Sequence, residues 1–245
     1  MSFMRLQKEL RTKFMPSGNE LAKLSQKSFT IDKLKIEEDF NFYLKHLLKL
    51  EFEIYKKKEK ECSTKIIKEA IKKGFLKDRR SFSSSFKQNY DELWEFFLSI
   101  SQSRKTRAGG SFEKHVKYLF ELLHYPFDTQ TVLNGKVDYV IPSEDAFKKN
   151  RTSCVVISIK RTLRERWRQV IGELTSTNAG KIYILTADEE ISYPKVEEMK
   201  SHNVNLVVWD EYKIDKFQQY FNVLGFNQFI QIDLPSSRKM WERLL

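Results

Sequence analysis

Apolar and polar positions along this chain follow two different periods, and the change between them divides it. Through the first hundred residues the apolar positions recur at helical spacing. Met1 to Met15 reads as a short amphipathic helix closed by Pro16-Ser17-Gly18. Phe40, Leu44, Leu47, Leu48 and Ile54 mark one side of a long helix over Ile31 to Glu61, which Ser63 to Lys73 continues until Gly74. Asp78 to Ser85 is polar, with Arg79, Arg80 and an exposed-looking Phe82, and reads as an interhelix loop. Phe86 to Ser101 predicts a helix whose Leu93, Trp94, Phe96, Phe97 and Ile100 suit a core or a dimer interface, with Trp94 read as packing. A basic, glycine-bearing segment from Ser103 to Gly110 leads into a helix over Ser111 to Leu123.

Beyond that point the period shortens to two. Lys136 to Ile141 and Ser153 to Lys160 are rich in β-branched and aromatic residues, and Asn134-Gly135 and Pro142-Ser143 bound the first of them. Lys181 to Thr186 and Asn205 to Trp209 predict two more strands, with a helix near Pro194 to His202 between them. Trp167, Val170, Ile171 and Leu174 form one helical stripe after Lys160, and Asp215 to Leu245 reads as helices broken near Gly225 and Pro235. Strands alternating with helices imply an α/β fold with a partly parallel sheet covered on both faces. No internal repeat is present.

Chemistry concentrates between Val137 and Glu173. Strand alternation puts Lys160 on the face of Ser158 and Val156, so a charge ends a mostly apolar strand and needs a partner, for which Asp138 is the candidate. Glu165, Gln169 and Glu173 share a second face of the following helix. A Glu173 carboxylate directed at the strand ends would join Asp138 in giving Mg²⁺ two hard oxygens, replacing an acid that the Ser158 slot lacks. Lys160 would then orient or activate water and stabilise charge on a phosphate. The string Arg161 to Gln169 holds four arginines and Glu165. Arginine can donate to guanine O6 and N7 together and glutamate can accept from cytosine N4, so Arg164-Glu165-Arg166 has the chemistry to read a G·C pair. Thr162 to Glu165 is equally a capping box, and one first turn can serve both ends.

The spacing of Asp138, Lys160 and Glu173 resembles the displaced-glutamate form of the PD-(D/E)XK nuclease site. The strings Ser103 to Glu113, Val137 to Ser143 and Arg164 to Gln169 resemble the EcoRII C-terminal domain, SsoII and PspGI group of Type II restriction endonucleases, over roughly Gln102 to Trp209. That resemblance implies a mixed sheet flanked by helices with a helical N-terminal region, residues 1–101 and 102–245 forming one compact unit. It implies Asp138 and Glu173 as metal-binding acids, Lys160 as the catalytic lysine and Glu113 as a further acid. Arg164, Glu165 and Arg166 would read the outer G·C pairs, with Gln102, Arg104, Arg107 and Arg168 at the central pair or the backbone.

The expected activity is Mg²⁺-dependent hydrolysis of both strands of double-stranded DNA by a homodimer. The expected site is CC-N/W-GG-like, cut before the first cytosine to leave 5′ overhangs, with its central bases flipped. Val137 stands where the family pattern has proline. A chain of 245 residues is expected to lack the added regulatory domain of EcoRII. Two other classes stand beside this one, a structure- or damage-directed nuclease and a catalytically silent DNA-binding protein. The intact Asp138, Lys160 and Glu173 argue against the silent version, and the Arg-Glu-Arg string favours sequence reading. Without the resemblance, Ser111 and Glu113 suit the first turn of a helix.

Composition adds context. Forty-four basic against 33 acidic residues give a net charge of +11, which suits a polyanion. Lys56 to Glu61 reads as a solvated helix face, and Asp78 to Ser85 has a DNA-facing loop as its second reading. No apolar run is long enough to span a membrane, and Met1 to Arg5 lacks a secretory core. Cys62 and Cys154 have no metal spacing, so a cytoplasmic protein is expected. His46, His115, His124 and His202 form no cluster in sequence. Ala108-Gly109-Gly110 lacks the lysine of a phosphate-binding loop, and no ATP dependence is expected.

Overall fold

A computed structural model describes residues 2–79, 81–129, 136–164 and 167–242, leaving aside the side chains of Lys33 and Leu34. Its contacts divide the chain into two compact units, residues 1–30 with 47–111 and residues 31–46 with 112–245. Two 33-residue helices contribute to both units, so two of the three crossings between them fall within continuous helix, and the other, at residues 30–31, falls in the short segment before the helix Lys33–Ile36.

The first unit is helical. Helix α1 (Phe3–Phe14) starts at Ser2, whose hydroxyl accepts from the Arg5 amide at 3.3 Å. Helix α2 (Gly18–Ser28) follows at once, because Ser17 and Glu20 form a reciprocal capping box. After the short α3 (Lys33–Ile36), helix α4 (Phe40–Lys72) runs unbroken through Ser63 and ends before Gly74, whose φ of 74° suits a residue without Cβ. Of the polar stretch expected as a loop, Asp78 and Arg79 are non-helical, whereas Phe82 to Ser85 belong to α5 (Phe82–Gln88), capped by Ser81. Helix α6 (Tyr90–Leu122) absorbs the basic segment that was expected to separate two helices. Gly109 and Gly110 each cost about 0.5–1 kcal/mol there relative to alanine. Neighbouring contacts outweigh this, including the Ser111 hydroxyl donating to buried Glu51 at 2.8 Å. Phe3, Leu6, Cys62, Ile66, Ala70, Leu76, Phe96 and Ile100 make this unit's core.

Trp94 does not pack into that core; it is 61% exposed. It belongs to a row at helical spacing, Phe82, Phe86, Tyr90 and Trp94, in which each ring contacts the next at centroid distances of 5.8–6.5 Å. Phe82 is 86% exposed, as its polar setting implied.

The second unit is an α/β layer structure. Its sheet, six-stranded among the described residues, takes the strands in chain order: β1 (Asp128–Thr129), β2 (Tyr139–Ile141), β3 (Val155–Lys160), β4 (Lys181–Thr186), β5 (Val204–Val208) and β6 (Val223–Gly225). β1 to β3 pair antiparallel and β3 to β6 parallel. Helices α7 (Glu144–Lys149), α8 (Trp167–Thr175), α9 (Tyr193–Ser201) and α10 (Asp210–Lys216) make the connections. Chain after Gly225, expected to be broken again near Pro235, continues as α11 (Phe226–Gln228), a π-turn over Phe229–Asp233 and α12 (Leu234–Trp241). Pro235 lies in the first turn of α12, where its missing N–H costs nothing. The stripe expected on α8 is buried through Trp167, Ile171 and Leu174, in one core with Val156, Ile184 and Leu206. β1 and β6 were not foreseen. The described helices include none long and apolar enough to cross a membrane.

Candidate active site at the end of the third strand

Antiparallel pairing of Tyr139 with Ile157 places the preceding residue, Asp138, beside Ser158. The Asp138 amide donates to the Ile157 carbonyl at 3.1 Å, which holds its backbone against β3 just before the regular strand begins. Its carboxylate turns along the end of β3. There Oδ2 accepts from the Ser158 hydroxyl at 3.0 Å, the Ile159 amide at 2.6 Å and Lys160 Nζ at 2.7 Å. The Asp138 side chain is 14% exposed and that of Lys160 37%, so the pair lies at the rim of the core. The partner expected for the strand-terminal lysine is thus the residue named for it. Ser158 occupies the position where an acid was missing, and its hydroxyl braces Asp138.

Glu173 projects from α8, half-buried, and accepts from Gln169 Nε2 at 2.8 Å across one helical turn. This is the second helix face expected from the sequence. Glu113 lies on α6, and its carbonyl accepts from the Tyr139 hydroxyl at 3.1 Å. Burial, followed by the charges of Glu113 and Asp138, pushes the Tyr139 phenol well above its ordinary range, so it remains a neutral donor. Tyr139 ties the helix bearing one candidate acid to the strand beside the other. Sequence reasoning passed over it, although its place next to Asp138 on a short strand was a usable signal.

Among the described residues no three His, Cys, Asp or Glu side chains converge as a ready-made metal cage. Mg²⁺ does not need one, since it is ordinarily held by one or two carboxylates and completes its shell with water and phosphate. Asp138 fits that sparse donor set, because its described donors all fall on Oδ2.

The reading segment begins directly after Lys160. Arg161 to Arg164 is not helical and α8 starts at Trp167, so Thr162 does not cap that helix as a capping box would require. Leu163 is 2% exposed; its amide donates to Asp188 Oδ2 at 2.7 Å, and its carbonyl accepts from Lys195 Nζ at 2.8 Å. Arg164 is exposed, and Glu165 and Arg166 lie outside the described residues. Arg168 forms a two-point ion pair with Glu198 of α9, at 2.9 and 3.1 Å, and lies over the Trp167 ring. That pairing raises the Arg168 pKa.

Gln102, Arg104 and Arg107 fall in the helical unit. Gln102 is exposed; Arg104 pairs with Glu59, and Arg107 donates to the Pro16 carbonyl at 2.6 Å with its guanidinium over the Tyr55 ring. Both arginines are thus engaged within their own unit.

Known proteins resemble this chain in both sequence and fold. Residues 61–230 match the family model described as EcoRII C terminal. The chain is 31% identical over 194 residues to the Type II restriction enzyme SsoII of Shigella sonnei, an alignment covering 74% of this chain and 64% of that protein. It is 27% identical over 199 residues to the Type II restriction enzyme EcoRII of Escherichia coli, covering 79% and 44%. The chain therefore spans less than two-thirds of either relative. Among solved structures, metal-depleted Ecl18kI in complex with uncleaved, modified DNA superposes with a TM-score of 0.85 at 27% identity, covering 98% of this chain and 85% of that one. A PspGI–substrate DNA complex shares the fold, with a TM-score of 0.67 at 19% identity over 92% of this chain and 94% of that one. With the family match spanning most of its length and the mixed sheet carrying Asp138 and Lys160 at one strand end, the chain belongs to the EcoRII C-terminal family.

Proposed function

We propose that the protein is a Type II restriction endonuclease that hydrolyses both strands of double-stranded DNA with Mg²⁺. The observation that carries this reading is the convergence of Ser158, Ile159 and Lys160 on one oxygen of Asp138, in a chain of this family. Asp138 and Glu173 would hold the metal, which supplies a Lewis acid and lowers the pKa of water. Lys160 would hold the attacking water and offset charge on the phosphate as the phosphorus–oxygen bond to the leaving 3′ oxygen breaks. Glu113 would add a carboxylate from α6. Lys160 paired with Asp138 favours a working site over a silent DNA-binding protein, because the ion pair sits at a strand end where the lysine side chain is partly exposed rather than sealed in the core.

In this reading Arg164 and Arg166 contact guanines and Glu165 cytosines of a CC-N/W-GG-like site. Gln102, Arg104, Arg107 and Arg168 lie toward the central pair or backbone. Arg104, Arg107 and Arg168 would then have to exchange or share their present partners. The cut falls before the first cytosine and leaves 5′ overhangs, with the central bases flipped. Digesting plasmid DNA with the purified protein and Mg²⁺ and sequencing the ends tests the whole proposal. Ends at one short recurrent sequence support it, whereas ends scattered by DNA structure favour a structure-directed nuclease.

Among the described residues one such cluster is present, so cutting two strands of a palindrome calls for two copies. The exposed row from Phe82 to Trp94 supports homodimerisation, since apolar surface of this extent is normally covered. Trp94→Ala should shift sedimentation toward monomer, and an unchanged dimer would place the interface elsewhere.

A further inference from the structure

We propose that Asp188 and Lys195 are positioning residues that hold the peptide of Leu163, and through it the base-reading segment, in the shape that meets DNA. The inference rests on the reading of Arg164, Glu165 and Arg166 as base contacts, and it assigns a role to two residues outside that segment. Leu163 stands between the last residue of β3, Lys160, and the first reading arginine. Its side chain is buried in the sheet core. Its N–H points at a carboxylate and its C=O at an ammonium, so opposite charges grip the two ends of one backbone residue. Hydrogen bonds to ionised partners are about twice as strong as neutral ones.

The grip is itself braced. Asp188 is 8% exposed, its other oxygen accepts from the Glu190 amide at 2.9 Å, and its own amide donates to the Thr186 hydroxyl at 3.1 Å. Thr186 is the register partner of Lys160 on β4, and its hydroxyl lies 3.4 Å from the Arg161 carbonyl. One stretch, from Thr186 through Asp188 to Lys195, thus fixes the chain that joins the catalytic lysine to the reading arginines. At the far side Trp167 is buried, with Lys195 Nζ 6.0 Å from its ring centroid, and Arg168 is tied to Glu198. With Leu163 held before the reading residues and Trp167 buried after them, less freedom remains to be lost when DNA binds, and the saving appears as affinity for the duplex that fits.

The clamp is not needed to fill the core, since Leu163 does that with its side chain. A buried carboxylate and a lysine from a separate helix, both aimed at one backbone residue, serve to fix a loop conformation. Loss of the clamp should therefore reduce discrimination between sequences more than grip on DNA, because phosphate contacts supply the non-specific term.

The test is a gel shift without divalent metal, using a duplex with a CC-N-GG core and one in which an outer G·C pair is replaced by A·T. Wild type, Arg164→Ala, Asp188→Ala, Asp188→Asn and Lys195→Met are compared, with a thermal melt for each. Asp188→Ala should lower the ratio of the two affinities by about tenfold or more, toward that of Arg164→Ala. Affinity for the substituted duplex and its salt dependence should stay unchanged. Asp188→Asn, which keeps an acceptor oxygen for the Leu163 amide, should restore most of the ratio. Lys195→Met tests the same backbone residue from its half-buried side should Asp188→Ala fail to fold, and should lower the ratio in the same direction. Equal loss on both duplexes in the folded variants would mean a structural role and overturn the proposal. Discrimination that Arg164→Ala lowers and the clamp variants leave intact overturns the clamp alone. A wild-type protein that binds both duplexes alike shows that base reading has failed, and the clamp falls with it.

Discussion

Asp138 and Glu59 sit in clusters made of nearly the same parts, a carboxylate, a hydroxyl and a strong cation, and they use them in opposite ways. In the helical unit both oxygens of Glu59 are taken: Arg104 donates to Oε1 at 3.1 Å and to Oε2 at 2.9 Å, and the Tyr55 hydroxyl donates to Oε1. In the α/β unit three donors crowd onto Oδ2 of Asp138. The first arrangement saturates its acid, and the second leaves the other oxygen outside the described contacts. Glu59 lies within Lys56 to Glu61, the run expected to be a solvated face, yet it is 7% exposed. A buried acid and a strong base do not by themselves mark a site. What separates the two is whether the carboxylate retains capacity for a further ligand.

The largest effect that would break this contrast is on chemistry. Asp138→Ala should abolish plasmid cleavage while leaving specific DNA binding in place, since the reading segment is untouched. Wild-type cleavage in that variant would remove Asp138 from the reaction. Glu173→Ala should come close to the same loss, and Ser158→Ala should keep much of the activity, because a hydroxyl that braces Asp138 is only one of three donors to it. If Glu173→Ala cuts normally, the second metal acid is elsewhere.

Glu59→Ala should act on stability instead. With its acid buried and Arg104 half-exposed, the cost lies between the surface and buried ranges, at about 2 kcal/mol. Denaturant unfolding should show it, while the folded fraction still cleaves DNA. Lost cleavage with unchanged stability would mean that Glu59 serves the reaction rather than the fold.

The smallest expected effect concerns pH. Burial tends to raise the Glu59 pKa, but the Arg104 and Tyr55 hydrogen bonds outweigh it and hold the carboxyl below its ordinary 4.5. A depressed folded value stabilises the fold above the unfolded value, and that increment is lost as pH falls through the folded one. The melting-temperature gap between wild type and Glu59→Gln should therefore narrow as acid is added below pH 4.5. A gap independent of pH would show that folding leaves the Glu59 pKa unchanged, and a gap that widens as acid is added would show that it is raised.

The comparison also marks how far local reading reached. Lys160 was legible because a charge at the end of an apolar strand demands a partner, and the register of β2 on β3 supplied Asp138. β4 was expected over the residues it occupies, Lys181–Thr186, since a run rich in branched residues between turns states its own limits. The capping box at Ser17 and Glu20 was equally readable and was passed over. Thr162 stands at the head of the same pattern, yet Leu163 and Arg164 after it are not helical, and the Leu163 amide donates to Asp188 instead.

By itself the sequence determined the helical stripes, the alternation that makes an α/β sheet, and the family to which its three matching strings belong. These are local properties, set by side-chain period and by residue types at fixed spacing. Tertiary structure alone decided that α6 continues through Gly109 and Gly110, that Trp94 faces outward, and that Glu59 is buried. It also decided that two- and three-residue segments become β1 and β6. Periodicity shows that a helix has an apolar side but not which neighbour covers it, and so short a strand exists only because an adjacent strand satisfies its backbone. The grip of Asp188 and Lys195 on Leu163 belongs to the same class, since residues 25 and 32 positions away meet that backbone only once the sheet has formed.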